Sequence, residues 1–328
     1  MSIAVVYPVW SYSWSKISNQ IAEVLRSNGF NVEVIPFTGI VRRFRMYRNM
    51  IIVGDILQMF RAITPYAQYV IWYFDAPSVM LRGNIVKLWF IGVEYKYRFV
   101  PNSHWAKTVL ESYGLKNIEE PIPHGIDTSV WYPQVLQDKP YHFIYYSLYH
   151  ERKGFDRLVE LCRKMPDYRF RVMSNYLLRE KVQFPNNVTV DYDLATLTEK
   201  ELYERVLTAR VYIQVSYYEG FGITTLESYI AGLNVVAPDV KPFNEYLPRD
   251  DILWVEAYHD YEHGLRYEVR YMGVRYSYVI PKITWNMDEF MKKMIEALKK
   301  PVDISKRLEW RAKYDYRRLY RKFIELLR

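Results

Sequence analysis

The sequence predicts an α/β chain made of two doubly wound halves, each with a parallel sheet. Three observations predict it. Short apolar, β-branched runs alternate with amphipathic helical stretches along most of the chain. The length of 328 residues suits two domains of ordinary size. Residues 211–233, VYIQVSYYEGFGITTLESYIAGL, read as a buried strand, a glycine-bearing turn and a helix closed by Gly232.

In the first half, Ile3 to Val6 is a strand. Ser13 or Ser15 can cap a helix to about Asn28, with Ile17, Ile21, Val24 and Leu25 on its apolar face and Gly29 at its end. Residues 31–36, 50–53 and 69–72 read as further strands, and 99–101 as a short one. Ser103 is an N-cap for a helix over 105–112.

A second alternating unit begins at Tyr141. HFIYY is a strand, HERKG a loop and 155–164 a helix; RFRVM, NVTV, VYIQV and NVVAP are later strands. Thr198 with Glu201 forms a capping-box pattern. Residues 267–280 are strand-rich and unassigned. The expected division is 1–125 with the tail 305–328, and 126–304.

Composition bounds the function. Half the residues are hydrophobic, so a large core is possible. A single cysteine, Cys162, excludes an internal disulfide framework and fits a reducing, cytoplasmic compartment. No apolar run approaches the roughly 20 residues that span a bilayer. MSIAVVYPVW has no basic start and reads as a strand, not a leader. The net charge of +8, with 32 Tyr and 9 Trp, fits nucleic acid, an anionic membrane or a phosphorylated substrate.

The turn at 216–222 carries the chemistry. The first N–H groups of a helix lack partners inside it, and the helix dipole favours negative charge there. Gly220 and Gly222 let a ligand approach the backbone. Glu219 repels phosphate but suits hydroxyl donors such as a sugar, and Glu227 can point back toward the same turn. Local chemistry leaves two readings: a nucleotide-sugar site, or an ordinary strand-to-helix turn with two solvated glutamates.

Glu219 followed by Gly-Phe-Gly, with Glu227 after seven intervening residues, resembles the signature of the retaining GT-B glycosyltransferases of the group 1 family, glycosyltransferase family four. VPNSHWAKTVLESYG and PIPHGIDTSVWYP resemble the family's segments, with Pro123, His124, Gly125, Ile126 and Asp127 in its interdomain stretch. The resemblance implies two Rossmann-like domains facing a cleft, with the last helix returning to the first domain. It implies that Glu219 touches the donor sugar, Glu227 the ribose, and the amides of Gly220, Phe221, Gly222, Ile223 and Thr224 the diphosphate, with Ser216 beside them. Arg152 and Lys153, before Gly154, fall where the family places a basic pair on the diphosphate. The implied reaction moves a sugar from a nucleotide-diphosphate donor to an unidentified acceptor with retention, without metal or other cofactor.

The chain departs from the family in places. The usual Gly-Arg before the basic pair is replaced around Tyr146 and Ser147. PVWSYSWS lacks the frequent glycine-rich loop. In WYFDAPS the candidate for an acceptor-side group is Asp75, as a hydroxyl-orienting group or a turn cap.

Other patterns point elsewhere. HDYEH at 259–263 matches an inverted zinc-peptidase string without an evident third ligand. Asp191 and Asp193 form an Asp-x-Asp, which the resemblance sets near the nucleobase. No dinucleotide fingerprint is present, which weighs against a dehydrogenase. Residues 305–328 hold nine Lys or Arg and three Asp or Glu, a net +6. Leu308, Tyr316, Leu319, Phe323 and Leu327 recur there at helical spacing. With Arg42, Arg43, Arg45 and Arg48 this tail offers a basic surface for an anionic membrane or a lipid phosphate. The expected activity is a metal-independent retaining hexosyltransferase, with no nucleic acid as partner. The alternatives are a GT-B phosphorylase or epimerase, or a basic nucleic-acid-binding protein.

Overall fold

The computed structural model describes residues 2–9, 12–37, 46–54, 67–75, 96–271 and 274–327. These divide into two compact units. The first is Met1–Gly125, Tyr267–Tyr278 and Tyr314–Arg328, and the second is Ile126–Arg266 and Val279–Lys313. Arg42, Arg43 and Arg45 lie outside the described residues.

The first unit is built on a five-stranded parallel sheet. Its strands are β1 (Ser2–Pro8), β2 (Asn31–Phe37), β3 (Tyr47–Val53), β4 (Ala67–Phe74) and β5 (Tyr97–Pro101), in the order β2-β1-β3-β4-β5. Alternate residues serve opposite faces, as a pleated strand requires. Ala4, Val6, Met50, Ile52 and Trp72 pack with α2 (His104–Ser112) on one face. Ile3, Val5, Ile51, Val53 and Tyr73 pack with α1 (Tyr12–Ser27) on the other. The apolar stripe of α1 is the expected one: Ile17, Ile21, Val24 and Leu25 are all buried. The helix starts earlier than expected, so Ser13 and Ser15 lie inside its first turn and not at the cap. Ser103 does cap α2, its hydroxyl accepting from Ala106 N at 3.1 Å.

The second unit holds six parallel strands. They are β6 (Tyr141–Tyr146), β7 (Phe170–Met173), β8 (Val188–Asp191), β9 (Ala209–Ile213), β10 (Asn234–Pro238) and β11 (Leu253–Val255). Their spatial order is β11-β10-β9-β6-β7-β8. Connecting helices are α3 (Phe155–Lys164), α4 (Leu177–Lys181), α5 (Glu199–Val206), α6 (Ile223–Ile230) and α7 (Phe243–Tyr246). The capping box of α5 is complete: Thr198 and Glu201 bond reciprocally. The expected strand 211–215 stops at Ile213, because the side chain of Gln214 turns in to bond Thr225 Oγ1 at 2.9 Å and Ser216 N at 3.0 Å.

The strand-rich region resolves into a two-stranded ribbon, β12 (Ala257–Tyr271) and β13 (Val274–Trp285). HDYEH lies on β12, where a rise of about 3.3 Å per residue holds its first and last residues roughly 13 Å apart, and His263 Nδ1 is 3.1 Å from Asp260 Oδ2. Helix α8 (Met287–Lys299) follows the ribbon.

The tail is not one helix. It is α9 (Ile304–Lys313), α10 (Tyr316–Leu319) and α11 (Lys322–Leu326), broken where Asp315 caps α10. The expected apolar face therefore fails at its first residue: Leu308 is 47% exposed while Arg307 is fully buried. Tyr316, Tyr320, Phe323 and Leu327 join the α1 side of the first sheet.

Candidate active site

The site begins with strand order. From β6 the chain moves outward to β7 and β8, then returns to lay β9, β10 and β11 on the other side. In open α/β sheets a ligand crevice opens beside the carboxyl ends of the strands flanking such a reversal. Here these are β6 and β9. The loops leaving them carry Arg152–Lys153 and Ser216–Gly222, so the topology brings together residues some 65 positions apart.

The two loops interlock through backbone. Gly154 has φ +67°, and a Cβ there would stand 2.2 Å from Val215 O, so a side chain would force the loops apart. Tyr217 N donates to Arg152 O at 2.8 Å. Tyr145 OH donates to Lys153 O at 2.7 Å and meets Ser216 Oγ at 3.0 Å.

Glu219 is the centre of the resulting cluster. Lys153 Nζ donates to its Oε1 at 2.6 Å, Ser216 Oγ to the same oxygen at 2.7 Å, and Arg152 Nη1 to Oε2 at 3.3 Å. Burial by itself would raise the Glu219 carboxyl. The charges of Lys153 and Arg152, with hydrogen bonds from Lys153 and Ser216, outweigh it and hold the group below the usual carboxylate range. It stays an anion that can only accept hydrogen bonds. Glu219 is 6% exposed, whereas the side chains of Arg152 and Lys153 are 28% and 15% exposed. The cations thus have a path to a ligand.

The other arm is the start of α6. Gly222 precedes it at φ +82°, and a Cβ there would meet Phe243 Cε1 at 2.6 Å. Tyr246 OH donates to Gly222 O at 3.1 Å, and its ring stacks on Phe221 at 4.2 Å. The Phe221 side chain is therefore packed into the protein. Gly220 is buried beside it. The amides of Ile223 and Thr224 open the helix and have no acceptor within it. Thr224 is fixed by Tyr212 OH, 2.9 Å from its Oγ1, and by Tyr146 OH, which donates to its carbonyl at 2.9 Å. Glu227 is 2% exposed on the same helix. Its charge reaches Tyr146, whose phenol is pushed up first by burial and then by Glu227.

The second unit thus gathers Arg152, Lys153, Ser216, Glu219, Gly220, Phe221, Gly222, Ile223, Thr224 and Glu227. Asp75 belongs to the first unit, half-buried after β4, where its charge helps raise a Tyr73 phenol already raised by burial and by Tyr320.

The Asp-x-Asp pair lies at the far edge strand, separated from β9 by β6 and β7. Asp191 takes Arg171 Nε at 2.7 Å and Asp193 takes Arg205 at 2.6 and 2.7 Å. Both carboxylates are already engaged by guanidinium groups. Among the described residues no cluster of three or more His, Cys, Asp or Glu is placed to hold a metal.

Several residues that shape the site escape sequence reasoning. Tyr145, Tyr146 and Tyr246 act through hydroxyls whose partners lie at different distances along the chain. Tyr217 is held by Arg157, whose guanidinium lies 3.9 Å from its ring centroid, and by Ile283 N donating to its carbonyl at 2.6 Å. The one available signal was two adjacent tyrosines ending a buried strand, since a buried phenol needs a partner.

Residues 133–263 match the family model described as Glycosyl transferases group 1. The chain is 26% identical to a protein of Sulfolobus islandicus rod-shaped virus 1 named uncharacterized glycosyltransferase 335, over 95% of this chain and 97% of that protein. A glycosyltransferase from Rickettsia africae superposes with a TM-score of 0.70 at 14% identity, covering 99% of this chain and 97% of that one. A sucrose-phosphate synthase from Thermosynechococcus elongatus gives 0.69 at 12% identity, covering 99% and 98%. HepE from Anabaena, in complex with UDP and glucose, gives 0.64 at 11% identity, covering 100% and 99%. The structural likenesses show a GT-B fold, and the family-model match and the viral relative support a group 1 glycosyltransferase.

Proposed function

We propose that the protein is a retaining, family-four glycosyltransferase that moves a hexose from a nucleotide-diphosphate donor to an acceptor. The observation that carries this reading is the buried Glu219, neutralised by Lys153 and Arg152, beside the open amides of α6 at the switch point of the sheet. A sugar diphosphate has complementary parts. Its hydroxyls would donate to Glu219, its phosphates would take the two cations and the amides of Gly222, Ile223 and Thr224, and its ribose would bond Glu227. The two cations would turn from Glu219 to the diphosphate as the sugar hydroxyls replace them.

In the reaction the acceptor oxygen would attack the anomeric carbon on the face from which the phosphate oxygen leaves. The carbon–oxygen bond to phosphate breaks, and the leaving phosphate takes the acceptor proton. The protein's part would be positioning and stabilisation of the negative charge on the departing diphosphate. Lys153, Arg152 and the helix amides supply that charge stabilisation without a metal. Asp75 would orient an acceptor hydroxyl.

A panel of UDP-, GDP- and ADP-sugars in a thermal-shift assay tests the donor site, because a ligand of the folded state at 100 times its Kd adds about 2.7 kcal/mol. The expected result is a raised Tm with one base and slow release of that nucleotide. NMR of the product would show the anomeric configuration kept. No shift and no release with any donor would refute the reading; an inverted product would refute retention alone.

The remaining basic surface fits a peripheral membrane role. Arg317, Arg318, Arg321 and Lys322 are exposed on the tail, whereas Arg307 and Arg311 are spent on internal bonds. No helix among the described residues is long and apolar enough to cross a membrane. Sedimentation with anionic vesicles, weakening with salt, is the expected behaviour. Equal binding to neutral vesicles would count against it.

A further inference from the structure

We infer that the adjacent tyrosines Tyr145 and Tyr146 are positioning residues that set the two arms of the donor site separately, Tyr145 the sugar and cation arm and Tyr146 the nucleotide arm. The inference rests on the donor-site reading above and deepens it. Both residues end β6, the strand at the switch point, and neighbours on a strand point to opposite faces of the sheet. Each ring is 1% exposed, so each hydroxyl must find its partner inside the protein.

Tyr145 reaches the loop that bears the cations and the loop that bears Glu219. Its hydroxyl is 2.7 Å from Lys153 O and 3.0 Å from Ser216 Oγ. Ser216 Oγ has one proton, and Glu219 is an anion, so that proton goes to Glu219 Oε1 at 2.7 Å. Ser216 must then accept from Tyr145, whose single proton is shared between Ser216 Oγ and the Lys153 carbonyl. One phenol proton therefore orients both the carboxylate expected to read the sugar and the backbone of the lysine expected on the diphosphate.

Tyr146 works on the opposite face. Its hydroxyl donates to Thr224 O at 2.9 Å and lies 3.0 Å from Ser228 Oγ, which can donate to it. Those contacts fix the first turn of α6, whose amides and Glu227 are the expected diphosphate and ribose ligands. Gln214 ties the two sets together, accepting from Ser216 N at 3.0 Å and donating to Thr225 Oγ1 at 2.9 Å; each Phe variant leaves that tie in place and removes only the hydroxyl contacts of its own arm.

The Phe variants keep the rings and remove only the hydroxyls, so the packing survives where alanine would leave a cavity. The readouts are titration with UDP, GDP and ADP, and turnover of the matching nucleotide-glucose in the absence of acceptor. Tyr145→Phe should lower kcat about threefold to tenfold, the effect of one lost buried hydrogen bond, and should weaken nucleoside diphosphate binding less than Tyr146→Phe does, because of the groups Tyr145 holds only Lys153 is expected on the diphosphate. Tyr146→Phe should raise the nucleoside diphosphate Kd about threefold to tenfold with kcat at saturation nearly unchanged. A purely structural role would lower Tm in both variants and move the two constants together. That result, or two Phe variants matching the wild type, overturns the inference while leaving the donor site standing. Absence of nucleotide binding in the wild type itself overturns both.

Discussion

Two buried carboxylates in the second unit have nearly the same partners and different expected work. Glu219 is bound by a lysine, an arginine and the Ser216 hydroxyl. Asp251 is bound by Lys300, Arg307 and the Tyr229 hydroxyl, the last at 2.8 Å. In each, burial would raise the acid and the neighbouring cations hold it down instead. The difference lies in the cations. Arg307 is fully buried, its guanidinium 3.5 Å from the centroid of the Tyr229 ring and also bonded to Leu233 O. Arg152 and Lys153 sit on a loop with part of each side chain in solvent. A locked charge cluster fastens α9 to the end of α6. A cluster whose cations can swing away is able to exchange one partner for a ligand.

The sharpest way to break this comparison is to remove a cation from each cluster. Arg307→Ala should destabilise the protein by about 3–5 kcal/mol in denaturant titration, because Asp251 is left buried with incomplete compensation. A loss under about 1 kcal/mol would mean that the Asp251 cluster is as adaptable as the Glu219 cluster.

The converse experiment is Glu219→Ala. It should cost about tenfold to a thousandfold in turnover of the nucleotide-sugar, the range for a lost charge-positioning group. The unfolding midpoint should move little, since both released cations can reach water. Lys153→Ala should lower turnover alike but also cost stability, because Glu219 is then left buried with only Arg152 and Ser216 to hold its charge. Near-wild-type turnover with a large stability loss would make Glu219 a second structural cluster.

Acid separates the two units. His124 is buried in the first unit between Tyr73 OH, 2.7 Å from Nδ1, and Asn102 Nδ2, 3.2 Å from Nε2. Burial lowers it from 6.5 to about 3. Its folded pKa lies below the unfolded one, so the unfolded chain binds the extra proton between those values. Stability is full above the unfolded pKa and declines by about 1.4 kcal/mol per pH unit as pH falls below it. Asp251, with a depressed acid pKa, contributes stability above its unfolded value of 3.8 and loses it below that. Denaturation curves from pH 7 to 4 should therefore slope in the wild type and flatten in His124→Gln. An unchanged slope would exclude His124 as the source.

The smallest expected effect is that of metal removal. Excess chelator should leave donor turnover within about twofold if cations and amides carry the leaving-group charge. Asp191→Ala/Asp193→Ala should do likewise, with about 1 kcal/mol of stability lost at most from the part-exposed arginine pairs. Loss of turnover on chelation, restored by Mg²⁺ or Mn²⁺ and absent in the double variant, would overturn the metal-free proposal.

The sequence alone determined the α/β class and most element positions, because they depend on local patterns. The short apolar runs of β1 and β3, the stripe of α1 and the Thr198–Glu201 capping box are each visible within a few residues. It also singled out Glu219, the glycines and Glu227 as a candidate set, through their spacing on one strand, turn and helix. Tertiary structure decided what depends on partners far along the chain. It placed Arg152 and Lys153 on Glu219 through the strand order, spent the Asp191 and Asp193 carboxylates on arginines and buried Arg307 where Leu308 was expected. It also gave Tyr145 and Tyr146 their separate tasks. The physical reason is common to all four. A charge or hydroxyl buried away from water is held only by specific groups, and the fold alone brings those groups within about 3 Å.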